Sequence, residues 1–193
     1  MHFLQLILGT QPMIRKTYQQ AFIETCGLDP FNASIIDMKV FLAKIALDNV
    51  LPADETDRDQ YLFLLMSHVV EPALGSNPSP VAVYHFPESQ ASLAKVTNGL
   101  AERFEVYYRG VELANGFHEL TDPEVQRARF NQDNQQRLIK GFQPSPPDEY
   151  LLSALNAGLP PCSGVALGID RLIALGLNQP GIANVMSFDF SIA

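Results

Sequence analysis

The chain has 193 residues, 47% hydrophobic and 18% charged, a balance that excludes a disordered chain and suits one globular domain with a sizeable core. Its formal net charge of −8 disfavours non-specific nucleic-acid binding, because neutralised phosphates supply most of that affinity. Cys26 and Cys162 lie too far apart in sequence for a disulfide framework or a CxxC site, so a reducing cytoplasm is the expected compartment.

Met1 to Leu8 is apolar without a basic flank or cleavage signal; it is expected to be the end of a helix, and no run is long enough to span a membrane. Tyr18 to Cys26 reads as a helix closed by Gly27, and Ser34 opens a second apolar run through Leu47 that Asp48 and Asn49 close. A third helix, capped by Asp54 or Thr56, carries Tyr61, Leu62, Leu65, Met66 and Val69 at helical spacing and stops at Pro72. His68 has no second ligand-type residue nearby and reads as structural. Gly75 to Pro80 is a turn, too short to separate domains.

Strands follow. Val81 to Phe86 is stopped by Pro87, and Arg103 to Tyr108 with Val111 to Phe117 flank Arg109-Gly110 as a hairpin. Thr121 or Asp122 caps a helix with Pro123 in its first turn, ending near Lys140 at Gly141. On that helix Arg127, Arg129, Arg137 and Lys140 are interrupted by Glu124 and Asp133, which reads as a solvated face. A Pro-rich loop, Gln143 to Pro147, leads to a helix from Asp148 to Ala157, ended by Gly158. The prediction is an α+β fold in a single domain over residues 1–193, with a helical part over about 1–75 and a sheet-containing part over about 81–193.

Three segments carry candidate chemistry. Gly164 to Leu172 reads as a small-residue strand breaking into a helix; Gly164, Ala166 and Gly168 leave the backbone bare for a flat ligand, and Arg171 can reach an anion. A packing turn with Asp170 and Arg171 paired is the alternative. Glu112 to Leu120 puts Glu112, Asn115, Gly116 and Glu119 on a central strand, where the carboxylates call for a cation or a ligand ammonium. Glu112 and Glu119 are seven positions apart, so they share a face only if a bulge intervenes, for which Asn115-Gly116 is the candidate; otherwise Glu112 faces solvent. Tyr84 to Ala94 is a strand leaving into a polar loop suited to a pocket mouth or to an ordinary strand exit.

These segments, in this order, resemble the class II aminoacyl-tRNA synthetases of the lysyl type. Gly164 to Leu172 is similar to that family's motif 3, Glu112 to Leu120 to its ExxNGFxEL strand, and Tyr84 to Ala94 to its FPxxxxxLA segment. The resemblance is nearer to the branch that ligates (R)-β-lysine to elongation factor P, and extends from about Tyr18 to the C-terminus. It implies a partial class II synthetase catalytic domain, an antiparallel sheet from Val81 onward flanked by helices, using ATP and Mg²⁺. Arg171 would contact the ATP γ-phosphate and Gly168 would admit the adenine, with Glu112 and Leu113 also at ATP. Arg171 and Glu112 would be catalytic, and Glu112 and Glu119 would hold Mg²⁺. Asn115, Gly116, Glu119 and Ala166 would line the amino-acid pocket, Glu119 facing the substrate amine. Ala166 stands where lysyl-tRNA synthetases usually have Gly, which points to the elongation factor P branch.

Motif 1, motif 2 with its phosphate-gripping arginine, and the anticodon-binding barrel of lysyl-tRNA synthetases have no counterpart here. The resemblance therefore implies the C-terminal part of a lysine or β-lysine ligase, a homodimer when intact, and unable to complete the reaction alone. Exposed sheet edges predict oligomers or aggregation. The rival readings are a fragment of a tRNA-charging lysyl-tRNA synthetase and a non-catalytic nucleotide-binding or regulatory module.

Overall fold

The computed structural model describes residues 2–189. Helix α1 (His2–Leu8) precedes strand β1 (Ile14–Thr17), helices α2 (Tyr18–Cys26), α3 (Ile35–Lys44), α4 (Arg58–Leu65) and α5 (Glu71–Gly75), and strands β2 (Val81–Pro87) and β3 (Val96–Thr97). Strands β4 (Leu100–Tyr108) and β5 (Val111–His118), helices α6 (Pro123–Ile139) and α7 (Glu149–Ala157), strand β6 (Ser163–Leu167) and helix α8 (Ile169–Gly176) follow.

The strands form one sheet in the order β1-β2-β4-β5-β6, with β3 paired to β4. Every pairing is antiparallel except β1 with β2, which is parallel. The sheet thus begins before Val81: β1 is a further strand. Among the described residues Ile14-Arg15-Lys16-Thr17 is the outermost strand beside β2, and it has no apolar alternation to announce it. The β4–β5 hairpin turns at Arg109 (φ 51) and Gly110 (φ 74), the double left-handed geometry that matches strand twist.

Side chains alternate along each strand, so the register sorts the sheet into two faces. Val81 and Val83, Glu105 and Tyr107, Asn115 and Phe117, and Gly164 and Ala166 share the upper face; Ala82, Phe104, Val106, Ala114, Gly116, Val165 and Leu167 share the lower. Helices α2 to α5 cover the upper face at the β1–β2 end, where Tyr18, Phe22, Met38, Tyr61, Leu62 and Leu65 form a core with Val81 and Val83. Leu4 of α1 and Leu172 of α8 pack with Val106, Leu113 and Ala114 below. The upper face is left uncovered by that helical core over β5 and β6.

Helix ends follow side-chain chemistry. Thr17 with Gln20 and Ser34 with Asp37 form capping boxes at α2 and α3. The cap of α4 is Asp57 rather than Asp54 or Thr56, because the Glu55 carboxylate accepts from the backbone N–H groups of Thr56 and Asp57 and holds the chain in a turn until Arg58. Pro72 does not stop the third helix: Met66–Val70 widens into a π turn, and Pro72 sits at the start of α5. The wider turn relieves the missing N–H and ring clash that a proline brings to a regular helix. Asp122 caps α6, accepting from Glu124 and Val125 N–H, with Pro123 at the first position.

The basic residues of α6 lie on a largely exposed face, as expected, and are tethered there. Arg127 pairs with Glu149, Arg129 donates to the carbonyls of Ser92 and Ala94, Arg137 to that of Gln143, and Lys140 pairs with Asp57. His68 is exposed on the π turn, its Nδ1 within 2.8 Å of Ser67 Oγ. Cys26 and Cys162 are both free. Among the described residues no helix is long and apolar enough to cross a membrane.

Candidate active site

Strand β4 supplies the site's buried charge. Arg103, Glu105 and Tyr107 alternate along it, so all project upward beneath the helical layer. The Glu105 carboxylate, 9% exposed, is bound by the Arg103 guanidinium and the Tyr107 hydroxyl, and Asn115 Nδ2 donates to it at 3.0 Å. Arg103 also donates to the Gln90 carbonyl at 2.9 Å and lies over the Phe86 ring at 4.7 Å. Gln90 Nε2 and Ser89 Oγ in turn donate to Asp59 of α4. The Tyr84 to Ala94 segment is therefore anchored to the site from below and from the helical layer.

A bulge brings Glu112 to the same face. Tyr107 is opposite Glu112 while Val106 is opposite Ala114, so Leu113 is the additional residue of β5. One extra residue reverses the alternation, and Glu112, Asn115, Phe117 and the direction of Glu119 then agree. The bulge lies at Leu113, not at Asn115-Gly116, because the tight β4–β5 turn fixes Val111 against Tyr108 and the Gly168 N–H takes the Leu113 carbonyl at 2.9 Å. Glu119 nevertheless stands about 20 Å along the chain path from Glu112 at normal strand rise, too far for both carboxylates to bind one ion. Glu105 is the carboxylate diagonal to Glu112.

These acids repel one another. Burial pushes Glu71 of α5 above the usual carboxylate range, with repulsion from Glu105 and Glu112 adding to it. Burial likewise raises Glu105, against the pull of Arg103 and Tyr107, and Glu112 raises it further. Burial and then Glu105 push the Tyr107 hydroxyl up. Such a cluster attracts a cation. Among the described residues no three His, Cys, Asp or Glu side chains gather as a metal cage; Glu105 and Glu112 are two carboxylates, donors of the kind that a hard cation takes alongside water.

The β6–α8 turn closes the other side. Gly168 is the N-cap of α8, and Arg171 folds back so that its Cδ would lie 3.2 Å from a Cβ at Gly168. Arg171 donates to the Glu112 carbonyl at 2.8 Å and its guanidinium is 4.0 Å from the Glu112 carboxylate. Asp170 and Arg171 are both exposed, and the partner of Arg171 is Glu112 of β5, a helix-to-strand link, rather than the Asp170 of the alternative reading. Ala166 is exposed directly opposite Asn115. Asn115 Oδ1 is buried without a hydrogen-bond partner, and no described group forms a hydrogen bond or ion pair with the Glu119 carboxylate. The buried Asn115 oxygen is an unmet acceptor that a ligand donor would satisfy, and the partly exposed Glu119 carboxylate is open beside it.

Glu112, Asn115, Glu119, Ala166, Gly168 and Arg171 thus meet along one surface. Leu113 and Gly116 do not join it by side-chain direction: Leu113 packs in the lower core, and a Cβ at Gly116 would strike Phe104 and the Gly164 carbonyl at 2.6 Å. Arg103, Glu105 and Tyr107 escaped the sequence reading. Their signal was the alternation of cation, anion and phenol on one strand.

A family profile for tRNA synthetases class II (D, K and N) matches residues 7–190. The chain belongs to the class II tRNA synthetases. Among curated relatives of this class II chain, the elongation factor P–(R)-β-lysine ligase of Salmonella typhi is 49% identical over 188 residues, 96% of this chain and 57% of the relative. The ligases of the same name from Vibrio parahaemolyticus and Vibrio campbellii are each 50% identical over 193 residues, 98% of this chain and 59% of the relative. The class II chain therefore spans less than two thirds of the relatives it matches.

Proposed function

We propose that this chain is the C-terminal part of an ATP-dependent ligase that activates lysine or β-lysine as an adenylate and passes it to a lysine of elongation factor P. The observation that carries the reading is the partnerless Glu119 carboxylate, on the same face as the Arg171–Glu112 link. A lysine-like substrate brings an ammonium that such a carboxylate would bind, and a triphosphate brings the anion that a half-exposed guanidinium would bind. The names of the relatives supply the acceptor, elongation factor P.

In this reading Arg171 leaves the Glu112 carbonyl to grip the γ-phosphate, uncovering Gly168 for the adenine. Glu112 and Glu105 would hold Mg²⁺, which when bound offsets charge on the phosphates. Asn115 offers its buried Oδ1 to a substrate N–H, and Glu119 holds the side-chain or β-amine. The substrate carboxylate, so oriented, attacks the α-phosphorus, pyrophosphate leaves, and the acyl-adenylate is then attacked by the acceptor amine, releasing AMP. A homodimer and a cytoplasmic location belong to the same proposal.

Extending the chain to the length of its relatives and assaying ATP–pyrophosphate exchange with lysine and (R)-β-lysine tests the reading. Amino-acid-dependent exchange and labelling of elongation factor P are expected. Charging of tRNA instead would establish the tRNA synthetase reading, and ATP binding without exchange would establish a regulatory module.

A further inference from the structure

Gly164 is expected from sequence to leave room for a ligand against the backbone, but that room is already filled. A Cβ built on Gly164 would overlap Glu119 Oε1, with Glu119 Cδ at 3.4 Å and no other group within 4 Å. Glu119 thus lays its carboxylate across the bare α-carbon of the neighbouring strand. Its backbone has little freedom to move: Glu119 N–H donates to the Cys162 carbonyl at 3.0 Å, and its other side bridges Ala94.

Backbone conformation does not demand glycine here. Gly164 is absent from the residues with positive φ and lies within the regular β5–β6 register opposite Phe117. Gly116, one residue away in the same ladder, is different: a methyl there would meet a backbone carbonyl oxygen at 2.6 Å. Glycine at 116 is needed for the strands to pack. At 164 the obstacle is only the end of a flexible side chain, which can rotate away at small cost to folding.

We infer that Gly164 is a positioning residue for amino-acid recognition: its missing side chain lets Glu119 lie where it meets the substrate ammonium. The inference rests on the proposed role of Glu119. A methyl at 164 would leave the fold and the nucleotide end of the site intact while turning the carboxylate aside. A charge-assisted contact made with poor geometry loses most of its strength.

The test is calorimetric titration of the chain, in the presence of ATP and Mg²⁺, with L-lysine and with (R)-β-lysine, alongside ATP titration and thermal unfolding. Glu119→Gln should weaken amino-acid binding about 10- to 100-fold, the range for a lost charged hydrogen bond. Gly164→Ala should weaken it comparably while ATP affinity and the unfolding midpoint stay at the wild-type values. Glu119→Asp, shorter by one methylene, should cost less in the Gly164→Ala background than in the wild type, since it withdraws the carboxylate from the added methyl. Normal amino-acid binding by Gly164→Ala, with loss in Glu119→Gln, would overturn the inference and leave the site reading standing. Normal binding by Glu119→Gln would overturn both. Loss of ATP affinity and thermal stability in Gly164→Ala would show a structural glycine and also overturn the inference.

Discussion

The two faces of one sheet have opposite duties, and β5 changes from one to the other within a few residues. Above, Glu112 and Asn115 meet Arg171, Tyr107 and a buried Glu105, and the face keeps an unpaired Asn115 oxygen and a partnerless Glu119. Below, Leu113 and Ala114 pack with Leu172 and Val106 in an apolar cluster. The lower face holds the strands in register by burying apolar area. The upper face can then carry repelling acids and open hydrogen-bonding atoms, features that cost stability and that a ligand would repay.

The comparison is broken most forcefully at Arg103, the upper-face residue that also serves the fold. Arg103→Ala should cost about 3–5 kcal/mol in urea unfolding, because it strands the nearly buried Glu105 without its counter-charge; a loss within about 0.5 kcal/mol would show that Glu105 is solvated or protonated without penalty.

Neighbours on α8 sharpen the contrast. Leu172 is 1% exposed in the lower core, and Leu172→Ala should cost about 2–5 kcal/mol measured by the same unfolding. Arg171→Ala, one residue away and exposed, should change stability by no more than about 0.5 kcal/mol. Equal losses would mean that the faces do not divide labour as argued.

A smaller effect is expected at Ala166, whose methyl stands opposite Asn115 on the upper face. Ala166→Gly should shift the preference between lysine and (R)-β-lysine by about 1–3 kcal/mol, read as the ratio of their exchange rates in the extended protein. An unchanged ratio would remove Ala166 from the amino-acid pocket.

The smallest and most specific signature is in pH. The Glu71 carboxyl is raised in the folded state, so its contribution to stability is full below the ordinary carboxylate value and is lost as pH rises through the raised one. Glu71→Gln should therefore flatten the fall in stability of the ligand-free chain between acid and neutral pH, and leave it at least as stable as wild type at pH 7. A steeper fall would contradict the burial and acid–acid repulsion that raise Glu71.

Much of this arrangement was legible in the sequence, for identifiable reasons. Caps and turns such as Ser34, Asp122-Pro123 and Arg109-Gly110 state their geometry locally, and Glu112, Asn115, Glu119 and Arg171 sit in motifs of distinctive spacing. What was hidden depends on partners distant in the chain. Strand β1 is a strand only because β2 lies beside it, and the Leu113 bulge is set by the Gly168 N–H more than fifty positions later. Glu105 looked like one charge among many until the helical layer above it was in place. The role of Pro72 was misread because a π turn has no signal in local propensity.

The central claim is that the upper face binds a triphosphate through Arg171. Calorimetric titration of this chain with ATP and Mg²⁺ tests it most directly: the account predicts weak but measurable binding that Arg171→Ala abolishes, while Leu172→Ala, read below its unfolding midpoint, retains it. No binding by the folded wild-type chain, or binding untouched by Arg171→Ala, would contradict it.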